Sequence, residues 1–148
     1  MREILFRGKT KSGYWVYGSL IKTSDYCCIL ESEENVHPMD YPYLDGDLGV
    51  IDGKATPIIP ETIGQWTGLV DKNGNKIFEG DAVKTEFGRL CMVRWFSSRS
   101  FMGWDLEVIR THDNLAYTDP PVSNHLWLSE CLEVINNIHD NPELLERK

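Results

Sequence analysis

The chain has 148 residues, 41% of them hydrophobic and 26% charged, with a formal net charge of −8. This length fits one domain that buries roughly two-thirds of its unfolded surface, so a core needs neither metal nor disulfides. The acidity disfavours a duplex nucleic acid partner, which needs a basic face to neutralise phosphates, and no apolar run approaches the ~20 residues of a membrane span.

From the N-terminus, Ile4-Leu5-Phe6 starts a strand. Residues 9–13 form a polar turn, and Tyr14-Trp15-Val16-Tyr17-Gly18-Ser19-Leu20-Ile21 is an aromatic and β-branched return strand. Together they read as a hairpin. Residues 26–30 are a further short apolar run. Cys27 and Cys28 are adjacent there and point to opposite faces of a strand, one buried and one half-exposed. Residues 32–57 carry Glu33-Glu34, several Pro and Gly breakers and Asp45-Gly46-Asp47, which reads as an acidic loop. Cation binding by Asp45, Asp47 and Asp52 is weaker as a reading than a solvated loop.

After Ile58 the turn signals sharpen. Pro60-Glu61-Thr62 reads as a turn or a single helical turn. Leu69-Val70 and Lys76-Ile77-Phe78 flank Asp71-Lys72-Asn73-Gly74-Asn75, and Asn-Gly between apolar runs is a strong hairpin signal. Glu79-Gly80-Asp81 makes a second turn before Ala82-Val83-Lys84. Residues 89–96 place Leu90, Met92 and Phe96 on one face, broken by Arg94, with Cys91, Val93 and Trp95 on the other, which predicts a strand covered on two sides. Residues 104–109 and 132–135 are further strands. Asn141-Pro142-Glu143 offers an N-cap, a first-turn proline and an acidic residue, and predicts a short C-terminal helix.

Short strands between tight turns predict a mainly β fold: an N-terminal β region with its acidic loop over residues 1–60, and a small SH3-like barrel with the C-terminal helix over residues 61–148. Residues 66–135 form the barrel, with the turn at 71–75 as a hairpin tip. Its partly closed edge is a place where the hairpin of residues 4–21 either caps its own barrel or pairs with a neighbouring copy.

Two longer stretches carry a resemblance. Residues 58–84 contain Pro60-Glu61-Thr62-Ile63-Gly64-Gln65-Trp66-Thr67-Gly68-Leu69, then Asp71-Lys72-Asn73-Gly74 and Glu79-Gly80-Asp81. The end reads Glu133-Val134-Ile135-Asn136-Asn137-Ile138-His139-Asp140-Asn141-Pro142-Glu143-Leu144-Leu145. With the opening residues 1–9 and Trp15-Val16-Tyr17-Gly18-Ser19-Leu20, these resemble the YopX family across the whole chain. Asn136 stands where the family has Gly and His139 where it has Tyr. The resemblance implies a protein of bacteriophages, prophages and mobile elements with an SH3-type component. It supplies no activity and no catalytic residues.

The residues supply no catalytic motif either. Gly8-Lys9-Thr10 lacks the P-loop's earlier glycine, since position 3 is Glu3. The 71–75 turn lacks a calcium loop's Gly and Glu, those positions being Lys76 and Ala82. His37, His112, His125 and His139 show no zinc-ligand spacing, and a site from His112, His125 and Cys131 is the weaker alternative to ordinary loop histidines. Glu79 and Asp81 read as turn residues rather than an acid/base pair. The four cysteines, with no continuous apolar signal segment in residues 1–30, read as free thiols of a reducing cytoplasm.

Five tryptophans remain. Most read as core, while Trp15, Tyr17, Trp66 and Trp95 are the candidates for an aromatic interaction surface. The reading is therefore a non-enzymatic interaction or assembly module of unestablished function with no cofactor or metal, an unidentified protein partner or a second copy, and no membrane. A nucleic-acid-binding small barrel and an enzyme whose site leaves no motif are the alternatives.

Overall fold

The computed structural model describes residues 3–31, 55–86, 88–100, 102–110 and 131–145. The acidic loop, His37, His112, His125 and Trp127 lie outside them. The described residues are mainly β and contain no α-helix. They hold β1 (Phe6–Lys9), β2 (Trp15–Lys22), β3 (Cys27–Glu31), β4 (Ala55–Pro57), β5 (Ile59–Val70), β6 (Lys76–Phe78), β7 (Asp81–Lys84), β8 (Leu90–Ser97), β9 (Met102–Arg110) and β10 (Glu133–Asn137). The chain divides into two compact units, Met1–Trp66 and Thr67–Lys148.

The first unit is an antiparallel sheet in the order β4-β3-β2-β1-β5. Its core face holds Val16, Ile29 and Ile58, with Phe6, Leu20, Cys27 and Ile63 packed against them. Small branched and aromatic side chains alternate with polar ones here, as a half-buried sheet requires. The expected hairpin of β1 and β2 forms, but not at an edge. β1 pairs with both β2 and β5, and β2 with both β1 and β3. Both of its strands are paired on both sides within the chain, so the hairpin presents no strand edge.

Pro60-Glu61-Thr62 is not a turn but part of β5. The β1–β5 register passes from Arg7↔Gly64 to Lys9↔Ile59, so residues 60–63 bulge from the ladder. That bulge accommodates a proline, which has no N–H to give. Thr62 holds it: its Oγ1 accepts the Lys9 N–H (2.8 Å) and donates to Ile59 O (2.6 Å).

The second unit contains the far end of β5, the 71–75 hairpin tip, β6, and a four-stranded antiparallel sheet in the order β10-β7-β8-β9. Its core is Ile77, Val83, Cys91, Val93, Leu106 and Leu132. The predicted SH3-like barrel over residues 61–148 is not found as such, because no closed barrel forms among the described residues. β9 and β10 lie at opposite edges of the sheet, with no described strand joining them. The C-terminal helix is likewise only a 3-10 turn, Pro142–Leu145, that buries no residue. Four residues with no apolar face to pack cannot repay helix nucleation.

Two packing expectations also change. β8 is covered on one side only: Cys91 and Val93 are fully buried, while Arg94, Trp95, Phe96 and Ser97 are exposed. None of the four described tryptophans is a buried core residue, although Trp104 packs against the second core, and the cores are mainly aliphatic. Trp15, Trp66 and Trp104 are partly buried, and Trp95 is exposed.

Candidate functional site

Buried polar groups are the first place to look for chemistry, and three of them build turns. Asp71 Oδ1 accepts the N–H groups of Asn73 (2.9 Å) and Asn75 (2.8 Å), and Oδ2 accepts the Val134 N–H (2.9 Å). The last bond joins the 71–75 tip to β10, and Lys72 adds a main-chain bond to Leu132 O (2.9 Å) and an ion pair with Glu133 (3.2 Å). Burial pushes the Asp71 carboxyl up. The amides of Val134, Asn75 and Asn73 and the Asn75 side chain outweigh it and hold the group below the ordinary carboxylate value.

Asp81, fully buried, accepts the Phe78 N–H through Oδ2 at 2.8 Å and closes the Glu79-Gly80 turn. Gly80 donates to Val93 O (2.8 Å) and accepts from Ile138 (3.0 Å), so this turn sits between β8 and the C-terminal segment. Asn137 Oδ1 accepts the N–H groups of His139 (3.0 Å) and Asp140 (2.9 Å), while its Nδ2 donates to Asp140 Oδ2 (2.8 Å). The Asp-Lys-Asn-Gly, Glu-Gly-Asp and Asn-Ile-His-Asp stretches are thus turn-building sets in which the carboxylates of Asp71, Asp81 and Asp140 are engaged with amides.

The thiols are equally quiet. All four cysteines are free, and Cys91 is pushed up to about 11, mainly by burial. Cys27 is partly exposed and Cys28 buried, as strand alternation predicts, and burial raises both thiols. Among the described residues no group of His, Cys, Asp and Glu is placed to hold a metal ion, and no helix is long and apolar enough to cross a membrane.

Exposed aromatic residues are more informative. Of the four candidates, Trp15, Tyr17 and Trp66 fall in the first unit and Trp95 in the second. Tyr17 lies opposite Arg7, and Arg7 opposite Gly64, so strand alternation places Trp15, Tyr17, Arg7 and Trp66 on one sheet face. Arg7 is buried, its guanidinium 4.7 Å from the Trp15 ring centroid. Tyr17 is 45% exposed.

Trp95 belongs to a different structure. β7 pairs with β8 only from Leu90 to Met92, whereas β9 follows β8 out to Ser97↔Met102. The distal part is a two-stranded ribbon. Its core-side face runs outward from Val93 and Leu106 to the cross-strand pair Trp95↔Trp104, and then to Met102. The two rings meet edge to face at 5.1 Å and 84°. Trp95 is 49% and Met102 69% exposed. The opposite face is charged: Arg94 binds Glu107 at 2.7 Å, and its guanidinium lies 5.9 Å from the Phe96 ring centroid. Arg94, Phe96, Asp105, Leu106 and Glu107 line a groove of about 230 Å³, below the ~300–1,000 Å³ of a typical small-ligand pocket.

Met102, Asp105 and Glu107 were not singled out by the sequence, and Trp104 was read with the core tryptophans. The signal was there, since apolar residues at 102, 104, 106 and 108 alternate with acids at 105 and 107. Periodicity identifies such a strand but does not say that its end outruns its neighbour.

Among solved structures, protein EF1440 from Enterococcus faecalis is similar in fold, with a TM-score of 0.51, 23% identity, and coverage of 99% of this chain and 100% of that one. No curated protein matches the chain. The family model described as YopX protein matches residues 6–146, a span that contains both sheets, all three turn-building sets and the ribbon, and the chain therefore belongs to the YopX family.

Proposed function

We propose that this chain is a non-enzymatic protein-interaction or assembly module that uses the exposed aromatic face of the β8–β9 ribbon. The observation that carries this reading is the continuation of the core's apolar face through half-buried Trp104 to Trp95 and Met102, where side chains normally hidden stand at the surface. Aromatic and methionine side chains of this kind are the anchors of protein interfaces. An enzyme is the poorer reading, because the buried carboxylates are engaged in turns and the ribbon groove is small and open. Duplex nucleic acid is the poorer partner for a chain of charge −8.

As a member of its family, the module acts for a phage, prophage or mobile element in the cytoplasm of the bacterial host, and its 148 residues work as one unit. Trp15, Tyr17 and Trp66 form a second aromatic strip of the same character on the first sheet.

The test is a photo-reactive amino acid placed at Met102 in host cells carrying the element, with the exposed turn residue Lys11 as control. A discrete heavier adduct at Met102 and none at Lys11 is expected. Equal adducts at the two positions, or none at Met102, would sink the reading.

A further inference from the structure

The same ribbon carries a main-chain edge that no described residue pairs with. The Val93 carbonyl accepts the Gly80 N–H at 2.8 Å, so the main-chain groups of Val93 face β7. Alternation turns those of Arg94 toward β9, and those of its register partner Asp105 toward β8. The N–H and C=O groups of Trp104, Leu106 and Val108 therefore face away from β8. β9 is the last strand of its sheet, and no described residue pairs with that side. Its chemistry bears this out. The Leu106 N–H is bound by Asp105 Oδ1 of its own strand at 2.8 Å, a side chain standing where a neighbouring strand's carbonyl would go.

We propose that β9 receives an extended strand of a partner protein in which apolar residues alternate with basic ones. The proposal rests on the ribbon being the interaction surface, and it names the mode of binding and the partner's chemistry. An exposed strand edge is a template for strand addition. Residues of the incoming strand opposite Trp104, Leu106 and Val108 meet the apolar face. Those opposite Asp105 and Glu107 meet two carboxylates, of which Arg94 neutralises one.

A second copy of this chain does not suit the edge. The antiparallel pairings of two β9 strands with the longest overlap are centred on Asp105, Leu106 or Glu107, and they match the apolar faces. They also set Asp105 against Asp105, Asp105 against Glu107, or Glu107 against Glu107, and like charges directly opposite are destabilising. The two acids thus guard the edge against self-pairing and select a basic strand.

The experiment titrates the full chain with an octapeptide of alternating Lys and Val and with one of alternating Glu and Val, while following amide hydrogen exchange. The Lys-Val peptide is expected to bind about tenfold more tightly than the Glu-Val peptide. It should protect the amides of Trp104, Leu106 and Val108, and Asp105→Asn with Glu107→Gln should erase the preference between peptides. Val108→Pro removes one outward N–H at a position where an edge tolerates it, and should lose the binding while the circular dichroism is unchanged. Equal affinity for the two peptides, or binding that leaves those three amides unprotected, would overturn strand addition. Protection of the same amides by the protein alone, with a dimer at raised concentration, would overturn the choice of partner. A Met102 adduct in cells survives each of these failures, so the wider reading and this one fail separately.

Discussion

Asp71 shows how a surface-type residue becomes a structural one. It is buried and holds the N–H groups of Asn73, Asn75 and Val134, so one carboxylate both closes a hairpin tip and joins it to β10. Asp71→Ala leaves these amides without their acceptor and is expected to cost about 2–4 kcal/mol in denaturant unfolding. Because its folded pKa lies below the ordinary value, its contribution is present above the unfolded pKa of about 3.9 and is lost as pH falls through the lower folded value. Stability measured between pH 6 and pH 2 should therefore fall at the acid end, and Asp71→Asn should flatten that part of the curve. At the thiols, burial sets reactivity. Cys91, at about 11 and fully buried, and Cys28, also buried, should stay unmodified by iodoacetamide at pH 8 in the folded protein, while the partly exposed Cys27 and Cys131 react ahead of them, as mass spectrometry of the labelled peptides would reveal. Labelling of Cys91 at the rate seen in denaturant would contradict its burial.

Turns set the register of the elements here, and two glycines show how differently a turn can constrain its residue. Gly80 and Gly74 both have positive φ, +87° and +81°. A Cβ at Gly80 would lie 3.3 Å from His139 Nε2, whereas one at Gly74 would meet nothing within 4 Å. Gly80→Ala should therefore cost about 2 kcal/mol, the backbone strain plus displacement of the His139 ring, and Gly74→Asn well under about 1 kcal/mol, since Asn tolerates this conformation. Thermal melts of the two variants would decide it, and equal losses would show that His139 gives way freely. Among the elements, strands and hairpin tips were legible in the sequence because turn chemistry is local. Asn73-Gly74 marks the β5–β6 tip whatever the rest of the chain does. The 60–62 segment was misread because its bulge depends on Thr62 reaching Lys9, a contact across 53 positions. The helix at Pro142 was misread because good capping residues cannot extend a helix that has no apolar face to pack.

Each unit has its own aliphatic core, yet β5 runs unbroken through the boundary at Trp66 and Thr67. A continuous strand transmits unfolding, so calorimetry is expected to give one transition. Two resolved transitions would make the units separate domains. At this scale the acidic charge acts as a solubility and specificity term rather than a fold term. By itself, the sequence determined the β class, the turns at 9–13, 71–75 and 79–81, the opposite facing of Cys27 and Cys28 and the family, since propensity, turn chemistry and period-two patterning are properties of short stretches. Only the tertiary structure decided that the β1–β2 hairpin lies inside its sheet, that the second sheet is not closed among the described residues, and that Trp95 and Met102 stand clear of the core. Those outcomes turn on which strand ends first beside which neighbour, and no short stretch of sequence contains both partners of that comparison.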